Sequence, residues 1–136
     1  MTLDDKMRAA VQAYFDLFNA GDGAAIADLF ADDATVTDPM GTPPKNGIDE
    51  IRAFYTLAVK NGARLEQQGT TRIAGNRAAF AFSVSVGAMT AVDKALDVEL
   101  PSGGMVIDVI DTFEFNDEGK VTAMCAYWGP GNITQV

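Results

Sequence analysis

Apolar side chains recur along this chain in two rhythms, a helical one first and then that of strands. Met7, Ala10, Val11, Tyr14 and Phe18 fall three or four residues apart, the stripe of an amphipathic helix. Asp4 or Asp5 can cap it, and Asn19-Ala20-Gly21-Asp22-Gly23 ends it. A short second helix is expected next, with Ile26, Leu29 and Phe30 inward and Asp32-Asp33 closing it. Thr35 to Asp38 reads as a short strand stopped by Pro39, and Met40 to Asn46, with Gly41, Pro43 and Pro44, as a loop. The spacing of Ile51, Phe54, Tyr55 and Ala58 predicts a third helix from about Ile48 to Val59, stopped at Asn61-Gly62.

Beyond that point the period changes to two. Arg64 to Ile73, Ala78 to Val86, Met105 to Phe115 and Val121 to Trp128 all read as strands. Turns are expected at Ala74-Gly75-Asn76 and at Asn116-Asp117-Glu118-Gly119. The stretch 87–104 is less regular: Ala95 to Leu100 is compatible with a strand, and Pro101-Ser102-Gly103-Gly104 with a turn. Helices followed by an antiparallel meander imply one α+β domain over residues 1–136, with helices on one face of a curved sheet. Such a sheet, closed by helices, leaves a conical hollow suited to a small molecule.

One residue breaks the pattern. Met105, Ile107, Val109, Asp111, Phe113 and Phe115 share a strand face, and Asp111 is the single polar member. An unpaired carboxylate in an apolar interior tends to take up a proton, because desolvation penalises its charged form. A neutral carboxylic acid is a hydrogen-bond donor. The five arginines (Arg8, Arg52, Arg64, Arg72, Arg77) fall on expected surface or element-end positions, so none is an evident buried partner. Asp108 falls on the opposite, solvated or interface face. Tyr14, on the first helical stripe, needs a partner for a buried hydroxyl; by itself it reads as a core tyrosine. Asp38 by itself reads as turn chemistry before proline, with a general base as the functional alternative. Met124, Ala126 and Trp128 share a face of the last strand, usual core residues that also suit the wall of a site for a flat apolar ligand.

Composition narrows the chemistry. The chain of 136 residues is 48% hydrophobic, enough for a real core. With 10 Lys and Arg against 19 Asp and Glu the net charge is −9, which disfavours nucleic acid and anionic membranes. There is no histidine, which removes Ser-His-Asp and Cys-His catalysis and the commonest zinc ligand. The single cysteine, Cys125, reads as a small buried hydrophobe. Asp32-Asp33 alone makes a poor metal site. The N-terminus lacks the regions of a signal peptide and no apolar run reaches membrane-spanning length, so a soluble cytoplasmic protein is expected.

Several segments together resemble bacterial ketosteroid isomerase (steroid Δ5-3-ketosteroid isomerase), within the wider nuclear transport factor 2-like, SnoaL-like group. They are Tyr14-Phe15 to Asn19-Ala20-Gly21-Asp22, Leu29-Phe30-Ala31-Asp32-Asp33-Ala34-Thr35-Val36-Thr37-Asp38-Pro39, Phe54-Tyr55, Ala79-Phe80-Ala81-Phe82, Asp108-Val109-Ile110-Asp111 and Ala126-Tyr127-Trp128. The resemblance implies a cone-shaped α+β fold (nuclear transport factor 2-like, cystatin-like), three N-terminal helices on a curved mixed or antiparallel sheet, and usually a homodimer. It also implies roles: Asp38 as general base, Tyr14 and a protonated Asp111 as the oxyanion hole, and Tyr55 as a supporting hydrogen bond to Tyr14. Phe54, Phe80, Phe82, Val84, Val109, Phe113, Met124 and Trp128 are the expected lining of the substrate chamber. The implied reaction moves a carbon–carbon double bond of a small apolar, steroid-like ketone into conjugation without metal or cofactor. Two departures stand out: 87–104 is longer than the family's stretch, and Phe30 stands where some relatives carry another tyrosine. Alternatives are an epoxide hydrolase or polyketide cyclase of the same fold, or a non-catalytic binder of flat apolar ligands. The hydrolase would want an arginine between two carboxylates.

Overall fold

A computed structural model describes residues 1–87 and 104–135. The first helix, α1 (Leu3–Asn19), is capped by Thr2 rather than by Asp4 or Asp5. The Thr2 hydroxyl accepts from the Asp5 amide at 3.1 Å while the Asp5 carboxylate accepts from the Thr2 amide at 3.1 Å. This reciprocal box satisfies two otherwise orphaned donors. The expected stripe is buried, with Phe15 added. At its far end the Asn19 side chain grips the backbone of Leu65, donating at 2.9 Å and accepting at 2.7 Å.

The second helix is shorter than its apolar pattern suggested. It covers only Gly23–Ala27 (α2), and the strand β1 already begins at Phe30 and runs to Thr37. Asp32 and Asp33 therefore lie within β1, in an irregular stretch between the paired residues Phe30 and Thr35, and not at a helix end. The expected loop at 40–46 holds a two-residue strand, β2 (Lys45–Asn46), before α3 (Ile48–Ala58). The strands β3 (Arg64–Ala74), β4 (Arg77–Val86), β5 (Met105–Phe115) and β6 (Val121–Tyr127) follow the expected alternation. A short β7 (Ile133–Gln135), absent from the sequence reading, pairs with β5. The strand expected at 95–100 lies outside the described residues.

The sheet is mixed, in the order β2-β1-β6-β5-β4-β3. The meander β3 to β6 is antiparallel and β1 returns beside β6 in parallel, which makes the sheet mixed. The result is three helices against one side of a curled, unclosed sheet, an α+β cone. Between the layers lies an aromatic core. Tyr14 meets Phe113 edge-on at 5.3 Å between ring centroids and Tyr55 at 5.7 Å, while Phe80 meets Phe113 at 4.9 Å. Edge-to-face pairs of this kind each add about 0.5–1.5 kcal/mol beyond area burial and fix ring orientation.

Candidate active site

The inner face of the sheet and the helices α1 and α3 enclose a cavity of about 270 Å³, near the lower end of the range usual for small-molecule sites. Its wall contains Tyr14 and Phe18 of α1, Phe54, Tyr55 and Ala58 of α3, Asp38 just after β1, and Asp111 of β5. The fold thus gathers Tyr14, Asp38, Asp111 and Tyr55 from four elements into one hollow. Of the expected apolar lining, Phe54, Phe82, Val84, Val109 and Trp128 are in the wall. Phe80, Phe113 and Met124 are not: all three are at most 1% exposed and form the core beneath it. Strand alternation places a side chain on the correct face, but it does not distinguish the cavity wall from the packed layer under it. Sequence reasoning also missed Phe18, Ala58, Ala63, Leu65, Val86 and Ile107 as wall residues.

Asp111 is 1% exposed, and its Oδ1 is buried without a hydrogen-bond partner. Its cross-strand neighbours explain the dryness. Phe80 of β4 and Ala126 of β6 stand opposite it on the same face, one apolar and bulky, the other small enough to leave a hollow. Burial first, and the nearby Asp38 charge second, push the Asp111 carboxyl well above its ordinary range, so it is held as the neutral acid. Orphaned buried polar atoms are rare in native proteins, so this one calls for an explanation.

Tyr14 is 3% exposed, and its hydroxyl lies 3.2 Å from that of Tyr55, which is 1% exposed. Burial raises both phenols well above their usual titration range, so both are neutral. Phe30 packs against Tyr55 at 5.8 Å between ring centroids and brings no hydroxyl to the pair.

Asp38 differs from Asp111 in having a donor. The Trp128 indole N–H donates to Asp38 Oδ1 at 2.8 Å, across 90 residues of sequence. The turn that carries Asp38 is tied to the sheet by the Met40 amide, which donates to the Ala126 carbonyl at 2.8 Å. Burial raises the Asp38 carboxyl from its ordinary value, while the indole bond and the Lys45 charge oppose that rise. The environments of the two aspartates therefore separate them. Asp38 has a donor and a cation favouring its charge, whereas among the described residues Asp111 has neither. Nothing in the local sequence at Trp128 announces this bond; the parallel pairing of β1 with β6 creates it.

All five arginines are exposed or half-buried, and none lines the cavity. Arg52 pairs with Asp28 at 3.2 Å and Arg77 with Glu114 at 3.3 Å. Among the described residues no three Asp, Glu or Cys side chains cluster as metal ligands. A wider hollow of about 390 Å³ lies on the outer face of the sheet, among Arg72, Arg77, Ala79, Thr112, Glu114, Cys125 and Tyr127. Its charged groups, Arg72, Arg77 and Glu114, are exposed or half-buried. Cys125 is half-exposed there, not buried.

Over residues 11–124 the chain matches the SnoaL-like domain. The chain belongs to the SnoaL-like family. It is 33% identical over 128 residues to a steroid Delta-isomerase of Nocardioides simplex, an alignment that covers 94% of each chain. Among solved structures it superposes with a TM-score of 0.84 on the epoxide hydrolase/cyclase-like enzyme SalBIII, described for pyran ring formation in polyether salinomycin. That likeness covers 98% of both chains at 24% identity, and speaks to fold alone. A shared fold does not fix a reaction, so the residues in the hollow carry the functional reading.

Proposed function

We propose that this chain is a cofactor-independent isomerase that shifts the double bond of a Δ5-3-ketosteroid, or a similarly flat apolar ketone, into conjugation. The observation that carries this reading is that a buried Asp111 with an unpartnered Oδ1, the Tyr14 phenol and an indole-bonded Asp38 all line one cavity. Asp38, as carboxylate, takes a proton from the carbon between the ketone and the double bond. The electron pair moves into a dienolate, and negative charge gathers on the former ketone oxygen. Tyr14 and protonated Asp111 donate hydrogen bonds to that oxygen in a dry site, where each such donor contributes about 10²–10³ in rate. Asp38 then returns the proton two carbons further along, so atoms and charge balance with no second reactant. Tyr55 holds the Tyr14 hydroxyl in place. Phe54, Phe82, Val84, Val109 and Trp128 enclose the rings of the substrate, above a core layer of Phe80, Phe113 and Met124.

The 33% identity to a steroid isomerase supports the substrate class. The epoxide hydrolase reading, which an arginine bridging two carboxylates would favour, has no such arginine among the described residues. The test is conversion of an unconjugated 3-ketosteroid, followed by the ultraviolet absorbance of the enone product. Wild type should turn over, and Asp38→Asn should lose about 10²–10⁴-fold in kcat, the usual contribution of a positioned base. Full activity in Asp38→Asn would end the proposal.

A further inference from the structure

The reaction proposed above needs Asp38 charged, yet burial opposes that charge. The short strand β2 places a cation beside it. Lys45 is paired directly with Val36 of β1. Directly opposed residues in an antiparallel pair share a sheet face, and the residue two positions along is a diagonal neighbour within reach of a long side chain. That diagonal neighbour of Lys45 is Asp38. Val36 is fully buried, so the shared face is the inner one. The Lys45 ammonium is 5.6 Å from the centroid of the Phe54 ring, and Phe54 lines the cavity together with Asp38. A cation–π seat of this kind fixes a charge without neutralising it. Among the described residues Lys45 makes no ion pair within 4.0 Å, so its field is not spent on a contact partner.

We infer that Lys45 is a positioning residue for Asp38: its ammonium, seated over Phe54, supplies the positive charge that keeps the base ionised beside the cavity. The other groups facing Asp38 cannot do this. Trp128, after β6, is a neutral donor. Tyr14 on α1, Tyr55 on α3 and Asp111 on β5 share the cavity and are held neutral by burial. Ionising any of them would add negative charge.

The role rests on the proton-transfer reading, but one test is independent of turnover. The chain has a single tryptophan. The nitrogen-15 indole signal of Trp128 therefore reports the ionisation of its acceptor Asp38 in the intact protein, and Asp38→Asn identifies that titration by abolishing it. In Lys45→Met the midpoint should move to higher pH, and in Lys45→Arg it should return toward wild type. The acid limb of kcat/KM should follow, with a loss of roughly threefold in Lys45→Met below the midpoint and little change at the plateau, the scale of a half-exposed charge. Added salt should narrow the difference. An unmoved indole midpoint in Lys45→Met would overturn the inference, as would a shift that Lys45→Arg fails to reverse, since that would make Lys45 a packing residue over Phe54. Absence of any enone turnover by wild type would instead defeat the isomerase reading, with the indole titration still deciding the role of Lys45.

Discussion

Two aspartates in one cavity of about 270 Å³ are given opposite tasks by what touches them. The sign of the resulting pH effect can be worked out. Unfolded, Asp111 titrates near the ordinary value of 3.8; folded, it keeps its proton well above that. Between the two values the native state binds more protons than the unfolded chain, so stability falls as pH rises through that window, by at most about 1.4 kcal/mol per pH unit. Asp38, also raised, adds to the fall at the lower end. Denaturant unfolding at a series of pH values should show this decline in wild type and a flatter curve in Asp111→Asn. Trp128→Phe removes the indole hydrogen bond to Asp38 Oδ1. Since that bond favours the carboxylate, the acid limb of kcat/KM should move to higher pH, measured by the same absorbance assay across pH. An unmoved limb would mean that the indole only lines the cavity. Asp111 was legible in the sequence because an alternating strand makes an inward carboxylate conspicuous. The roles of Trp128 and Lys45 were not, since each depends on a strand pairing between distant segments.

At the scale of elements, the helices serve to hold the phenols. Gly23 opens α2 where α2 crosses α3, and a Cβ there would come within 2.6 Å of the backbone of Tyr55 and Thr56. Gly23→Ala must therefore push α3 outward and move Tyr55 away from Tyr14. A stability loss of about 1–3 kcal/mol is expected from the overpacking, read as a lowered denaturation midpoint. An unchanged midpoint would show that the two helices can separate at little cost. The main helices and strands followed from periodicity, because each buries one face. The boundaries that failed share a cause. The apolar run Ile26, Leu29, Phe30 fits a helix face as well as a helix followed by a strand, and local pattern cannot separate the two. The short β2 and β7 carry too few residues to show any period. The irregular stretch of β1 hides Asp32 and Asp33 inside a strand.

For the molecule as a whole, the mixed sheet curls around the helices, and its outer face carries exposed Ile110 and, directly opposite it, Tyr127. No helix among the described residues is long and apolar enough to cross a membrane. We propose that this outer face pairs two copies, in keeping with the homodimer that the resemblance implies. Sedimentation equilibrium should give a dimer for wild type and a monomer for Tyr127→Lys combined with Ile110→Lys. A wild-type monomer would refute the pairing without touching the chemistry inside. The proposed chemistry requires one proton to reside on Asp111 and not on Asp38 at neutral pH. Infrared difference spectra of protein carrying carbon-13 aspartate read this most directly. The expected result is the carbonyl band of one protonated aspartic acid at neutral pH, lost in Asp111→Asn and retained in Asp38→Asn. No such band at neutral pH, or one that vanishes with Asp38→Asn instead, would contradict it.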